Sequence, residues 1–144
     1  MSRKSIRAFV DSDVVISSLI STSGAAYTLL HNTEGVELYI SNFSVVELEK
    51  VVERLQLNSE KLQKVISSRF ATATLSQSYE KVQKQFGSYV RDVDDAHIVA
   101  GANESKVKFL VSYNIRHFES DKLRQNFQII LLTPGLFLQY LRSI

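Results

Sequence analysis

The chain has 144 residues, of which 44% are hydrophobic and 22% are charged, so it is long enough to bury the core of one domain. It contains no cysteine, which excludes a disulfide framework, thiolate catalysis and a zinc site held by cysteine. The net charge of +2 is compatible with a nucleic-acid partner, but proteins of many other functions share it.

The N-terminal residues show no pattern of a targeting segment. Basic residues follow Met1, but no long apolar run comes after them, so we expect no signal peptide. No apolar run in the chain approaches the roughly 20 residues of a membrane span. Because the lack of cysteine also fits a reducing compartment, we expect a cytoplasmic protein that does not contact a membrane.

Predicted strands and helices alternate along the chain. The first half favours a strand over residues 6–10, helices over residues 14–20 and 25–32, a strand over residues 37–40, and helices over residues 44–55 and 59–70. Residues 71–90 have no clear pattern, although SYEKVQKQF within them could form a helix with a polar face. The remainder favours a helix over residues 95–103, strands over residues 108–112 and 127–132, and a closing helix. Thr133 is the expected N-cap of that helix, with Pro134 at its first position.

Strands that alternate with helices are typical of a parallel sheet covered on both faces, and we predict a single α/β domain over residues 1–144. Ligands of such sheets bind beyond the carboxyl ends of the strands. The candidate functional residues are therefore those that follow the strands or begin the helices at that edge.

Acidic and polar side chains occupy these positions. Asp11 and Asp13 follow the first strand, Glu47 falls in the first turn of the helix after the second strand, and Asn114 follows KFLV. Asp95 begins a predicted helix, but its segment must return to this edge from the unclear stretch before it. If these residues meet, three or more carboxylates share one cleft.

Such a cluster of like charges is costly unless a cation joins it. Oxygen ligands without cysteine or a histidine pair suit Mg²⁺ or Mn²⁺ better than zinc. A carboxylate-held ion of this kind most often acts on phosphates, where it can activate water and neutralise phosphate oxygens. The acids therefore favour phosphodiester hydrolysis.

The candidate residues lie in the segments FVDSDVVISSL, SNFSVVELEKVV, DVDDAHIVAGA and FLVSYNIRHF, which are followed by IILLTPGLFLQYL. In this order the segments resemble the PIN-domain ribonucleases, and they span most of the chain from Phe9 onward. The resemblance implies a three-layer α/β/α PIN-like fold with a central parallel sheet, and RNA cleavage that depends on Mg²⁺ or Mn²⁺. Many small members of the family are toxins of toxin–antitoxin modules, so an antitoxin protein is an expected partner.

The resemblance places the family's first acid on Asp11, its helix glutamate on Glu47 and its third acid on Asp95. Asp13 stands where the family usually has asparagine, and Asn114 stands at the fourth acidic position. We therefore expect Asp11, Glu47 and Asp95 to hold the metal, with Asp13 and Asn114 assisting. The resemblance also implies products with a 5′-phosphate and a 3′-hydroxyl.

Several of these residues also have structural interpretations. Asp13 could N-cap a helix that begins at Val14. Ser44 and Glu47 fit a capping box, which needs no metal. Asn114 could cap the short IRHF turn.

Other polar residues on the same segments are open to similar interpretations. Asp92 and Asp94 are expected as helix caps or supporting groups rather than metal ligands. His97 lies on an otherwise apolar helix and is expected to be packed or hydrogen-bonded at the surface, whereas His117 beside Arg116 could contact phosphate.

Two other functions remain open. FVDSDVV also fits the opening motif of haloacid-dehalogenase-type phosphohydrolases, with Asp11 as nucleophile and Asp13 as acid and base, but no such role exists there for Glu47 or Asn114. Alternatively, Asn114 weakens the metal site and the fold serves as an RNA- or protein-binding module.

The apolar segments VVISSLI and LFLQYL could form a homodimer surface, although core packing is their expected use.

Overall fold

Five parallel strands form the centre of the computed structural model, which describes residues 5–144; residues 1–4 of the predicted domain lie outside the described residues. The strands are β1 (Ile6–Val10), β2 (Val36–Ser41), β3 (Phe70–Ala73), β4 (Phe109–Val111) and β5 (Ile130–Leu132), in the spatial order β3-β2-β1-β4-β5. The central strand β1 is fully buried at its last three residues, as a parallel sheet covered on both faces requires. The predicted α/β fold with a parallel sheet is confirmed.

Helices cover both faces of the sheet. They are α1 (Ser12–Ile20), α2 (Ala25–His31), α3 (Asn42–Arg54), α4 (Ser59–Arg69), α5 (Tyr79–Phe86), α6 (Ala96–Glu104), α7 (Ser120–Phe127) and α8 (Pro134–Arg142). Among residues 5–144, no single helix has the length and apolar character to cross a membrane. The helices α1 and α2 reach that length and apolar character only when taken together, and a bend of 97° separates them.

The two helical layers have separate cores. Ala8 and Val10 point into the core formed with α1, α2, α3, α4 and α8, whereas Phe9 points into the core formed with α5, α6 and α7. This alternation follows from the two-residue period of a strand. The predicted three layers are therefore present, and β1 contributes side chains to both cores.

The chain reverses its direction across the sheet between β1 and β4. The connection after β1 leads to β2 on one side, whereas the connection after β4 leads to β5 on the other side. Diverging connections leave a crevice at the carboxyl ends of the two strands, where ligands of open α/β sheets bind. Asp11 directly after β1 and Asn114 in the loop after β4 line that crevice.

Two elements were not predicted from the sequence. The strand β3 is a half-exposed edge strand of only four residues and has no alternating pattern. The helix α7 buries only Leu123, so no apolar repeat marks it. Its last residue is Phe127, which the sequence analysis assigned wrongly to the following strand.

Two predicted helix starts were also wrong. The helix α1 begins at Ser12, and its N-cap is Asp11 rather than Asp13, because the Asp11 carboxylate accepts a hydrogen bond from the backbone N–H of Ser12. The helix α3 begins at Asn42 with Ser41 as its N-cap, whose hydroxyl accepts from the N–H of Ser44. The closing helix has the expected Thr133 cap, which accepts from the N–H of Leu136.

A glycine allows α6 to pack directly on the sheet. A Cβ atom at Gly101 would lie 2.5 Å from Cζ of Phe9 and 3.3 Å from Cβ of Ser41. Because interiors are close-packed, neither neighbour can withdraw without disturbing the core. Gly101 therefore sets the distance of α6 from β1 and β2.

We expect Gly101→Ala to lower the free energy of unfolding by about 1–3 kcal/mol, the usual cost of overpacking a core. Gly135→Ala is the matched control, since a Cβ there meets nothing within 4 Å and the residue lies in α8. The control should be neutral or slightly stabilising, because alanine favours a helix over glycine. Urea denaturation measures both changes; a Gly101→Ala protein as stable as wild type would contradict the close packing of α6.

Candidate functional site

A cleft with a volume of 650 Å³ lies at the carboxyl edge of the sheet, over β1 and β4. Its lining includes all five residues that the sequence analysis selected: Asp11, Asp13, Glu47, Asp95 and Asn114. They come from the end of β1, the first turn of α1, the helix α3, the start of α6 and the loop after β4. The fold thus brings together side chains that are up to about a hundred residues apart in sequence.

The carboxylate of Asp11 is held on both oxygens. Its Oδ1 accepts a hydrogen bond of 2.7 Å from the backbone N–H of Ser12, and its Oδ2 accepts one of 2.8 Å from the hydroxyl of Ser112. Ser112 follows β4 and is fully buried. Asp11 therefore both caps α1 and connects β1 to β4 at the crevice.

The carboxylate of Asp13 connects α1 to the loop after β4. Its Oδ2 accepts from the side-chain amide of Asn114 at 3.0 Å and from the backbone N–H of Tyr113 at 3.1 Å. Its Oδ1 is buried and has no hydrogen-bond partner among the described residues. The Asn114 side chain makes no cap to the turn Ile115–His117, so the capping interpretation of Asn114 was wrong.

Glu47 lies in the second turn of α3 rather than the first, because the helix starts at Asn42. Its Oε2 is 3.0 Å from Nε2 of His97 on α6. The capping-box interpretation of Glu47 was therefore wrong, since this carboxylate faces another helix.

The sequence did not predict that His97 pairs with Glu47. His97 is only 2% exposed, so the prediction that it is packed is confirmed and the alternative of a surface position is wrong; its Nδ1 has no hydrogen-bond partner among the described residues. A polar side chain within the apolar run AHIVAGA was the available signal, because buried polar groups are nearly always paired. The pairing with Glu47 depends on how α3 and α6 pack, which the sequence does not specify.

The three aspartates before α6 have different surroundings. Asp95 lines the cleft, and its Oδ2 lies 3.9 Å from Nδ1 of His117. Asp92 caps the short turn Val93–Asp95 by accepting from the N–H of Asp94, and it also borders the cleft. Asp94 instead accepts hydrogen bonds from the Tyr79 hydroxyl and lies outside the cleft lining.

Burial raises the pKa values of three of these acids, and neighbouring carboxylates add to the rise at Asp11 and Asp95. The pKa of Asp11 rises from 3.8 to about 8, first because burial disfavours its charge and then because Asp13 and Asp95 are negative neighbours. Burial also raises the pKa of Asp13. For Asp95, burial and the carboxylates of Asp92 and Glu47 raise the pKa. Full ionisation of these acids would therefore place more negative charge in the cleft than its surroundings neutralise.

Glu47 differs from the other acids of the cleft. Burial by itself would raise its pKa, but the hydrogen bond from His97, the neighbouring Ser12 hydroxyl and the charge of His97 together outweigh burial and lower the pKa below 4.5. Glu47 is thus a stable anion at neutral pH, with its side chain 41% exposed toward solvent.

The donor set fits a hard divalent cation. Within residues 5–144, no three His, Cys, Asp or Glu side chains lie close enough to form a metal-binding group by themselves. The cleft nevertheless offers oxygen donors from five carboxylates, and one of them, Asp13, has a buried oxygen with no partner in the described part of the chain. A cation would relieve the repulsion that raises the pKa of Asp11, and all-oxygen donors match Mg²⁺ or Mn²⁺.

Known proteins resemble this chain in sequence pattern and in fold. A family model described as PIN domain matches residues 7–116, a range that contains every candidate residue from Asp11 to Asn114. The chain is similar to the structure of VapBC2 from Rickettsia felis bound to a DNA fragment from their promoter, with 16% identity, a TM-score of 0.59 and coverage of 89% of this chain and 98% of that chain. It is similar to PAE2754 from Pyrobaculum aerophilum, with 17% identity, a TM-score of 0.57 and coverage of 96% and 97%, respectively. No curated protein sequence matches the chain.

We expect the metal-free protein to lose stability as the pH rises. The raised pKa of Asp11 means that the folded state binds this proton more tightly than the unfolded chain, whose ordinary value is 3.8. The free energy of unfolding therefore falls between pH 3.8 and about pH 8, and the loss is complete above that range. Asp11→Asn removes the titrating group, so it should raise the free energy of unfolding at pH 8 and make it less dependent on pH.

Urea denaturation in the presence of a chelator, at about pH 5 and about pH 8, measures this effect. The control is Asp121→Asn, which removes an exposed carboxylate at the start of α7. It should keep the pH dependence of wild type. Equal pH dependence in wild type and Asp11→Asn would contradict a buried, repelled charge at the end of β1.

Proposed function

This chain belongs to the PIN domain family, and we propose that it is a Mg²⁺- or Mn²⁺-dependent endoribonuclease. The observation that carries the proposal is that Asp11, Glu47 and Asp95 line one cleft at the switch point of the sheet. Repelled carboxylates at such a place are typical of a site that binds a cation and acts on phosphate. Membership in the PIN family leaves the haloacid-dehalogenase alternative without support.

We propose that Asp11, Glu47 and Asp95 hold the metal, with Asp13 assisting. The bound ion would neutralise phosphate oxygens and lower the pKa of a bound water. The Ser112 hydroxyl fixes one oxygen of Asp11, and the His97 ring fixes one oxygen of Glu47. The carboxylates of Asp11 and Glu47 therefore each have a fixed orientation, which a preorganised site requires.

The proposed reaction is hydrolysis by in-line attack. A water oriented by the carboxylate oxygens attacks the phosphorus, and the bond from phosphorus to the 3′-oxygen breaks. The leaving oxygen takes up a proton, so the products carry a 5′-phosphate and a 3′-hydroxyl. Asn114 supports the site by donating its amide to Asp13, which keeps that carboxylate at the edge of the cleft.

We further propose that the chain is the toxin of a toxin–antitoxin module. The similarity to VapBC2 supports this proposal at the level of the fold. The expected partners are an RNA substrate and an antitoxin protein that restrains cleavage, and the expected location is the cytoplasm. A homodimer is a further prediction from the apolar segments at the two ends of the chain.

One observation favours a second candidate function. Asn114 replaces an acid in the PIN pattern, and its amide is already bound to Asp13, so this position adds no charge to the cleft. A site with weakened metal affinity could bind RNA or protein without cutting it. Tight RNA binding by the folded chain with no cleavage in Mn²⁺ would favour this module over the nuclease.

We expect purified protein to cleave single-stranded RNA in Mn²⁺ or Mg²⁺ and not in EDTA. Asp11→Asn and Glu47→Gln should each reduce the cleavage rate by about 100-fold or more, because each removes a charged donor while keeping the side-chain shape. Glu49→Gln is the matched control, since Glu49 lies on the same helix but is exposed and outside the cleft. Glu49→Gln should cleave like wild type.

Metal affinity provides a readout that does not depend on cleavage. Titration of Mn²⁺ followed by electron paramagnetic resonance should show binding to wild type and Glu49→Gln and much weaker binding to Asp11→Asn. Cleavage by Asp11→Asn at the wild-type rate, with unchanged Mn²⁺ binding, would show that the proposed site is wrong.

A further inference from the structure

A second groove opens beside the cleft, on the outer side of α3. It has a volume of 550 Å³ and is lined mainly by Phe43, Val46, Lys50 and Tyr79, with Asp94 and His97 behind them. The groove and the cleft share the lining residues Glu47, Val51 and Arg54. The groove and the cleft therefore adjoin along α3.

The aromatic wall of the groove is held in place although it is exposed. Tyr79 is 44% exposed, and its hydroxyl lies 3.3 Å from both the backbone oxygen and Oδ1 of Asp94, to which it donates. The Phe43 ring lies edge-on to it, with ring centroids 6.1 Å apart and an interplanar angle of 67°. A fixed aromatic ring open to solvent costs little conformational entropy when a flat ligand stacks on it.

Two cations border the same groove. Lys50 and Arg54 lie on α3, about one and two turns after Glu47, and thus on the same face of the helix. Within residues 5–144, neither of them forms an ion pair. The groove therefore combines an aromatic wall with two positive charges, and its two carboxylates, Glu47 and Asp94, lie toward the acidic cleft and beneath the Tyr79 hydroxyl, respectively.

We propose that this groove binds one unpaired base of the RNA strand, next to the phosphate that is cleaved; this inference rests on the proposed nuclease function. The base stacks on Tyr79 and contacts Phe43, while Lys50 and Arg54 contact the adjoining phosphates. Stacking with a basic border is the general chemistry of single-strand recognition, because every base has a flat face and every phosphate a charge. A base inside a duplex cannot enter the groove, so the subsite selects unpaired RNA.

Charge favours RNA over a protein segment as the occupant. A protein segment would fill the apolar part of the groove near Val46, which is 52% exposed, but would leave Lys50 and Arg54 to find acidic partners. An RNA strand supplies both chemistries at once, a flat base and two phosphates.

Fluorescence anisotropy of a short fluorescein-labelled single-stranded RNA tests this proposal. The protein is Asp11→Asn, the variant expected not to cleave, and the measured quantity is its affinity for the RNA. Adding Tyr79→Ala should weaken binding about 10-fold, the effect of losing one base–aromatic stack. Tyr79→Phe should restore most of the affinity, because it keeps the ring. The matched control is Tyr27→Ala, which removes a tyrosine near Lys61 and Lys64 in a groove that shares no lining residue with the cleft, and it should bind normally.

RNAs with a single abasic position identify the contact on the ligand side. Removing the base that occupies the groove should weaken binding by a similar factor when Tyr79 is present, and should have no further effect in Tyr79→Ala. Base removal elsewhere along the strand should act equally on both proteins. In the cleaving protein, Tyr79→Ala should raise KM while kcat stays within about 2-fold of wild type.

The outcomes separate this inference from the proposed function. RNA affinity that is unchanged by Tyr79→Ala, in a protein that cleaves RNA, overturns the subsite and leaves the nuclease standing. Binding that depends on Tyr79, without cleavage in Mn²⁺ by the otherwise unaltered chain, supports the subsite and overturns the nuclease. Absence of RNA binding in every form overturns both and leaves the groove to a protein segment.

Discussion

The central constraint in this structure is the placement of a buried carboxylate at the end of the central strand. Asp11 follows three fully buried residues, and its pKa of about 8 reflects both burial and the negative neighbours Asp13 and Asp95. Two donors favour the ionised form of Asp11 against this effect: the N–H of Ser12 on α1 and the hydroxyl of Ser112 after β4. Residues that destabilise a fold in this way are commonly those that serve its function.

Packing of the two helical layers determines whether the carboxylates meet. Asp13 and Glu47 come from helices on one face of the sheet, whereas Asp95 comes from the start of α6 on the other. The close approach of Gly101 to Phe9 determines how near α6 packs to the sheet. This packing position determines where Asp95 and His97 lie at the carboxyl edge. A core contact without charge therefore controls the geometry of a charged cleft.

The sequence predicted the elements that have strong local signals. IRAFV forms the expected strand because it is a short apolar run, and the last helix has a Thr-Pro start that specifies its first turn. The strand β3 and the helix α7 lack such signals, since β3 lies at the half-exposed edge and α7 buries a single leucine. Local pattern fails where an element contributes little to the core.

The lining of the cleft was predicted better than its internal bonds. The rule that ligands bind beyond the carboxyl ends of parallel strands selected Asp11, Asp13 and Asn114 from topology alone. The bonds from Glu47 to His97 and from Asp13 to Asn114 join residues 50 and 101 positions apart. They depend on tertiary distances that no local pattern encodes.

This separation along the chain has a consequence for synthesis on the ribosome. The bond between Ser112 and Asp11 spans 101 residues, and β1 reaches its place beside β4 only after both have left the exit tunnel. Parallel pairing of distant strands is also slow, because a long loop must close before any contact stabilises it. A nascent chain that has not yet added β4 therefore contains Asp11, Glu47 and Asp95 but lacks the Ser112 hydroxyl and the Asn114 amide that hold Asp11 and Asp13. The complete cleft forms only after β4 and the loop that follows it have been synthesised.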